Sequence, residues 1–264
     1  MKIKAFVLLL CLSLLLCSCG GNGRIDKEAV ASLSDAIEAT NSETRVSGKY
    51  MLEISFGDSV TLYYASGDAA WDLTEETAHA IFTQTYLGST GEAANYYSDG
   101  VVLSVAESGS VEVEREPDEL FSMFPYAKAF SLPDDISELS VSQSTLGKTY
   151  TVKRSDAADI CSKVIGGDIF TIVDVLKKPQ ADKTQYSDAT CVYTVNDGRL
   201  TAYRYEFDVK LFDTPAYIPG YSVPEDEYTL ELHVVARMSY NGFGSDVTVK
   251  EYEAESDESS QISS

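Results

Sequence analysis

Tyr228-Thr229-Leu230-Glu231-Leu232-His233-Val234-Val235-Ala236-Arg237-Met238-Ser239-Tyr240 is the stretch that decides the fold. Tyr228, Leu230, Leu232, Val234, Ala236, Met238 and Tyr240 occupy every second position. Successive side chains of a strand point to opposite faces, so this pattern predicts a long strand with one face buried. The same period lies upstream. Ala189, Cys191, Tyr193 and Val195 alternate, Asn196-Asp197-Gly198 carries a hairpin-turn signal, and Tyr203, Tyr205, Phe207, Val209 and Leu211 alternate beyond it. Downstream, Asn241-Gly242 reads as a turn, with Val247 and Val249 closing the sheet.

The first half repeats the pattern in shorter pieces. Val46, Tyr50, Leu52, Ile54 and Phe56 alternate, Gly57-Asp58 turns the chain, and Val60, Leu62 and Tyr64 continue. Ser66-Gly67-Asp68 reads as another turn. Ala78, Ala80, Phe82 and Tyr86 predict a strand, as do Val101-Val102-Leu103 after Asp99-Gly100, and Val111 and Val113 after Glu107-Ser108-Gly109. Further strands are expected near residues 136–144 and 148–154. Helices interrupt this series. Asp26 is placed to cap one over 27–39, with Val30, Leu33 and Ile37 on one stripe. Pro117 opens a short one over 118–124, and Ser155 precedes one in which Ala157, Ile160, Cys161 and Val164 share a face before Gly166-Gly167. Residues 168–178 are apolar without a clear period.

Long strands, successive hairpins and a few short helices predict an α+β, mostly β fold. The sheet is antiparallel and strongly bent, a half-barrel with the helices on its concave face. Two copies of a simpler sheet, split near residues 130–135, are the alternative.

The N-terminus supplies an address. Lys2 and Lys4 precede an apolar run from Ala5 to Leu16. A run of that length suits a signal peptide and is too short for a spanning helix, which needs roughly 20 apolar residues. It ends in Leu16-Cys17-Ser18-Cys19, which resembles the lipobox of bacterial lipoproteins. That resemblance implies removal of residues 1–18 and lipidation of Cys19. It also implies attachment to the extracytoplasmic face of a cell membrane. Composition then divides the chain into a tether over 19–26, a body over 27–252 and an acidic, serine-rich tail over 253–264 expected to be disordered. The order of strands and helices over 27–252, taken with the lipobox, resembles the LolA-like lipoprotein-carrier half-barrels. This second resemblance is architectural and transfers no functional residue. It implies a sheltered apolar cavity for acyl chains.

Charge narrows the partners. The chain has 20 basic and 42 acidic residues, a net charge of −22, which repels nucleic acid and anionic headgroups. Membrane attachment is therefore expected through the covalent lipid. Of five cysteines, Cys161 and Cys191 remain beyond the leader and anchor. They are either a disulfide closing about 30 residues, worth roughly 3–4 kcal/mol, or two buried thiols.

Candidate ligand contacts come from two apolar, proline-bearing segments. Tyr217, Ile218 and Tyr221 lie in the loop 213–224, and Phe124, Tyr126 and Phe130 lie between Phe121 and Leu132. Either segment can line a pocket or fold onto the sheet as ordinary core. His79 and His233 are the two histidines and belong to no metal or nucleophile motif. Glu225-Asp226-Glu227 lacks the ligand spacing of a calcium loop. No G-x-S-x-G, S-x-x-K or phosphate-binding glycine motif is present, so no catalytic residue, metal or cofactor is expected. The functional expectation is a non-catalytic lipoprotein holding an apolar or amphipathic, lipid-like ligand. The alternatives are a cell-surface interaction or structural module without a cavity, and a hydrolase with paired, perturbed carboxylates.

Overall fold

The computed structural model describes residues 25–56, 60–107, 109–114, 128–133, 136–145, 147–165, 184–212 and 229–252. Helix α1 spans Lys27–Asn41. Six strands follow: β1 Arg45–Phe56, β2 Val60–Asp72, β3 Thr77–Tyr86, β4 Ser89–Ser98, β5 Val101–Ala106 and β6 Gly109–Glu114. Then come β7 Glu138–Ser144, β8 Gly147–Arg154, helix α2 Ala157–Ile165, β9 Thr184–Tyr186, β10 Ala189–Asn196, β11 Arg199–Leu211 and β12 Leu230–Phe243. A single 3-10 turn, Gly244–Asp246, ends the described elements.

The twelve strands form one unclosed antiparallel sheet in the order β6-β5-β4-β3-β2-β1-β12-β11-β10-β8-β7, with β9 also on β11. The expected mostly β, half-barrel class is found. The decisive stretch lies at the centre of the sheet. β12 pairs with β1 on one side and β11 on the other, joining the two halves of the chain without a break. Central position explains its pattern, since both neighbours hold its backbone while Leu230, Leu232, Val234, Ala236 and Met238 all face the core.

Bends are written into the register. One residue is extra at Asn241, where Ser47 faces Gly242 and Gly48 faces Tyr240. Others stand at Leu62, between the partners of Ile54 and Ser55, and at Thr201, between the partners of Thr194 and Val195. Each bulge kinks its strand and increases the local twist, which curls a wide sheet. Asn241-Gly242, expected as a turn, is therefore a bulge inside β12. Val247 and Val249 do not form a further strand. The 3-10 turn redirects the chain across the outside of the sheet, where Val247 is buried.

Ser66-Gly67-Asp68 is also not a turn, because β2 runs straight through it. Gly67 is required for another reason. A Cβ there would lie 2.0 Å from the Ile81 carbonyl oxygen and 2.6 Å from the Phe82 Cα, so the glycine lets β3 approach. The chain reverses later, at residues 73–76. There the Asp72 carboxylate accepts the Thr74 and Glu75 N–H groups and pairs with Arg45 at 2.8 Å. The turns at Asp99-Gly100 and Asp197-Gly198 are as expected, with φ of 52° and 78°, and 49° and 75°.

Both helices lie on the core face of the C-terminal half. Asp26 caps α1 by accepting the Glu28 and Ala29 N–H groups, and Leu33, Ala36 and Ile37 enter the core. Thr40 fastens the helix end to β11, its hydroxyl accepting the Leu200 N–H at 2.8 Å. α2 presents Ala157, Ile160, Cys161 and Val164, as its spacing predicted. It starts after Asp156, whose carbonyl accepts the Ile160 N–H, one residue later than the Ser155 cap expected. Cys161 and Cys191 are buried free thiols, the second of the two alternatives. Each fills an apolar slot on its own element. Burial pushes the Cys191 thiol up to about 12, away from the thiolate that disulfide exchange needs. Among the described residues no helix is long and apolar enough to cross a membrane.

Candidate functional site

The core face differs between the two halves of the sheet. On β8, β10 and β11 it carries Tyr150, Tyr193, Tyr203, Tyr205 and Phe207, all buried. Tyr203 and Tyr205 sit 4.9 Å apart, and Phe130 stacks on Tyr205 at 5.1 Å and 12°. The Phe130 N–H also donates to the Tyr205 hydroxyl at 3.0 Å, and Ser32 of α1 meets the Tyr150 hydroxyl. This half is filled by rings and helices. Phe130 packs on this ring cluster while remaining half-buried. Phe124, Tyr126, Tyr217, Ile218, Tyr221 and Cys19 lie outside the described residues.

On β1 to β5 the relief changes. Gly48, Ala69, Ala80, Asn95 and Ser104 face one another in a single cross-strand row on the core face. Five adjacent strands about 4.8 Å apart make this row about 19 Å long. The row on one side holds Val46, Trp71, Ala78, Tyr97 and Val102, each at most 3% exposed. The row on the other side holds Tyr50, Gly67, Phe82, Ala93 and Ala106, and its two rings meet edge-on at 6.1 Å over the glycine. Large side chains thus flank a line of very small ones. The result is a dip in side-chain size along this row, here called the trough, apolar at Ala69 and Ala80 and polar at Asn95 and Ser104 toward the β5 end. Neighbouring side chains close over its floor, with the Met238 Cε against Gly48 and with Ala69 and Ala80 buried. Burial holds the Tyr50 phenol well above its ordinary value, so this wall stays neutral.

The outer face carries a second concavity. Residues 247–252 cross it as a strap. The Lys250 N–H donates to His79 Nδ1 at 3.0 Å, and Tyr252 packs on Tyr96 at 5.6 Å. Between strap and sheet lies a groove of about 300 Å³ lined by Thr77, Tyr96, Val101, Leu103, Lys250 and Tyr252. His79 lies on the outer side of its strand and is buried beneath the strap. Burial, helped by the Lys250 charge, lowers its pKa from 6.5 to about 4. A folded value below the ordinary one means that docking favours the neutral ring. The contact is at full strength above pH 6.5 and is lost as pH falls through 4. Amide exchange over 247–252 is expected to rise across that window in the native chain. The rise should be absent in His79→Gln, and a flat profile in the native chain would refute the coupling.

The sheet surface also assembles a row that sequence reading missed. Ser55, His233 and Asp208 face one another across β1, β12 and β11. His233 Nδ1 lies 2.8 Å from Asp208, and its Nε2 lies 3.3 Å from Glu206. A ring held between two carboxylates suits a surface ion-pair ladder. A nucleophile pair would instead leave Nε2 free to take a proton from the serine. Among the described residues no group of three His, Cys, Asp or Glu side chains is placed to hold a metal ion.

No protein-family model matches the chain, and no curated protein matches it. Solved structures with a similar layout include lipoprotein LppX of Mycobacterium tuberculosis, at 10% identity and a TM-score of 0.47, covering 86% of this chain and 100% of that one. A LolA superfamily protein from Nitrosomonas europaea matches at 9% identity and a TM-score of 0.29, covering 87% and 96%. A DUF1329 family protein from Desulfovibrio piger matches at 9% and 0.27, covering 84% and 94%. At such identities no residue correspondence follows, so the roles of Ala69, Ala80 and their neighbours rest on this chain's own register.

The trough was partly legible beforehand. Ala78 and Ala80 mark a strand by their alternation, but their smallness carries no message until the register sets Ala69 and Asn95 on either side of Ala80, with Gly48 beyond Ala69.

Proposed function

We propose that this chain is a non-catalytic, lipid-anchored extracytoplasmic protein that lays one apolar or amphipathic molecule along the row Gly48-Ala69-Ala80-Asn95-Ser104. The observation that supports it is the row itself. A line of small residues about 19 Å long, with Trp71 and Tyr97 on one side and Tyr50 and Phe82 on the other, matches the length of an extended acyl chain. The polar end at Asn95 and Ser104 suits a headgroup. The anchor at Cys19 rests on the lipobox resemblance, and two or more acyl chains give stable attachment where one does not.

Ala80→Leu tests the ligand. Three added carbons on the trough floor compete with the ligand for space, at about 0.8 kcal/mol per displaced methylene. Binding of a dansyl-labelled fatty acid to the folded variant is expected to weaken at least about tenfold. If the trough is instead packed by the protein, the same change leaves binding alone and costs about 1–3 kcal/mol by overpacking. Cys19→Ala tests the address: incorporation of a palmitate analogue should disappear. Undiminished labelling would refute the anchor.

A further inference from the structure

The sheet does not close, and β6 is its last strand on one side. All six β6 residues are exposed, Val111 at 62% and Val113 at 39%. Among the described residues no strand lies beyond it. Natural edges are commonly guarded by short strands, charged side chains (Lys above all), Pro, a bulge or a covering segment. The charges on β6 are Glu112 and Glu114, which repel acidic strands and admit basic ones. β6, Gly109-Ser110-Val111-Glu112-Val113-Glu114, has neither Lys nor Pro, and its pairing with β5 is regular throughout. Its two faces are chemically distinct. Val111 and Val113 stand opposite Ser104 and Val102 on the core face. Glu112 and Glu114 stand opposite Leu103 and Val101 on the outer face, beside the floor of the groove under the strap.

We propose that β6 is a docking edge for an extended basic segment of another protein, one that alternates Lys or Arg with small apolar residues and adds to the sheet as a further strand. Backbone pairing supplies the attachment and side-chain alternation the selectivity. A strand laid beside β6 sets its outer-face side chains directly against Glu112 and Glu114, where opposite charges attract and like charges repel. Its other side chains extend the apolar face past Val111 and Val113. A second copy of this chain fits poorly, because self-pairing centred on Glu112 sets glutamate against glutamate. This edge adjoins the β5 end of the trough, where Val111 faces Ser104, but it acts through its backbone and its outer-face carboxylates, so either can fail without the other.

The test uses the purified full chain and a fluorescein-labelled Lys-Val-Lys-Val-Lys-Val peptide, read by anisotropy. Binding is expected, weakening with salt, and falling about tenfold in Glu112→Lys/Glu114→Lys. The Lys-Lys-Lys-Val-Val-Val isomer and a peptide with alternate backbone amides methylated should both bind weakly. Because the reversal could disturb the hairpin, Glu112→Gln/Glu114→Gln serves as a second variant, with an intermediate loss expected at unchanged melting temperature. Equal binding of the isomer would overturn the proposal by tracing the affinity to the chain's overall negative charge. Unchanged binding in both variants would overturn it too. So would self-association through β6 in sedimentation, which would give the edge to a second copy.

Discussion

Gly67→Ala is expected to destabilise the chain by about 3 kcal/mol, the upper part of the range for overpacking. The new methyl would sit 2.0 Å from a backbone oxygen of β3, and backbone cannot rotate away as a side-chain end can. β2 and β3 must then separate, and with them Tyr50 and Phe82 lose the contact they make over the glycine. Gly91→Ala on β4 is the control, since a Cβ there meets nothing within 4 Å. Replacing that glycine narrows the unfolded ensemble, so its effect should be neutral or slightly stabilising. Urea unfolding separates the two variants. Equal midpoints would mean that β2 and β3 are not held as closely as described.

The second large effect is electrostatic. Arg154 on β8 is buried, its side chain 2% exposed, and it is held by Asp156 at 2.9 and 2.6 Å and by the Tyr193 hydroxyl at 3.2 Å. The pair ties β8 to the start of α2 and to β10. Asp156→Ala leaves the guanidinium buried with its countercharge gone, and is expected to cost about 3 kcal/mol. Arg154→Met/Asp156→Ala removes both charges and should recover most of that loss, so the two sites are non-additive. The hydrogen bonds from Arg154 also hold the Asp156 carboxyl below the usual range. A depressed folded value contributes stability that is present above the ordinary carboxylate pKa near 4 and is lost as pH falls below it. Acid unfolding of Asp156→Asn should therefore be shallower in that range than that of the native chain. A double variant no more stable than Asp156→Ala would contradict this account of the pair.

What the sequence disclosed follows from which interactions are local. Alternation on β10, β11 and β12 and the Asp-Gly turns depend on neighbours in sequence, so they could be read directly. Gly67 and Asn241-Gly242 were misread as turns because glycine also serves where another strand's backbone approaches or where a bulge is needed. Which of these applies depends on a partner strand absent from the local pattern. Val247 and Val249 were correctly read as apolar. Their destination, across the outer face above His79 and not inside the sheet, depends on the Gly244–Asp246 turn. The same reason hid the trough, since Gly48, Ala69, Ala80 and Asn95 are unremarkable one by one and become a site only in register.

Native mass spectrometry of the chain, purified in mild detergent from the membrane that carries it, bears most directly on the claim that this row holds a ligand. The account predicts one non-covalently held acyl-bearing molecule per chain, present in the native protein and missing from folded Ala80→Leu. A native protein that releases no such molecule, together with an Ala80→Leu variant destabilised by overpacking, would contradict it.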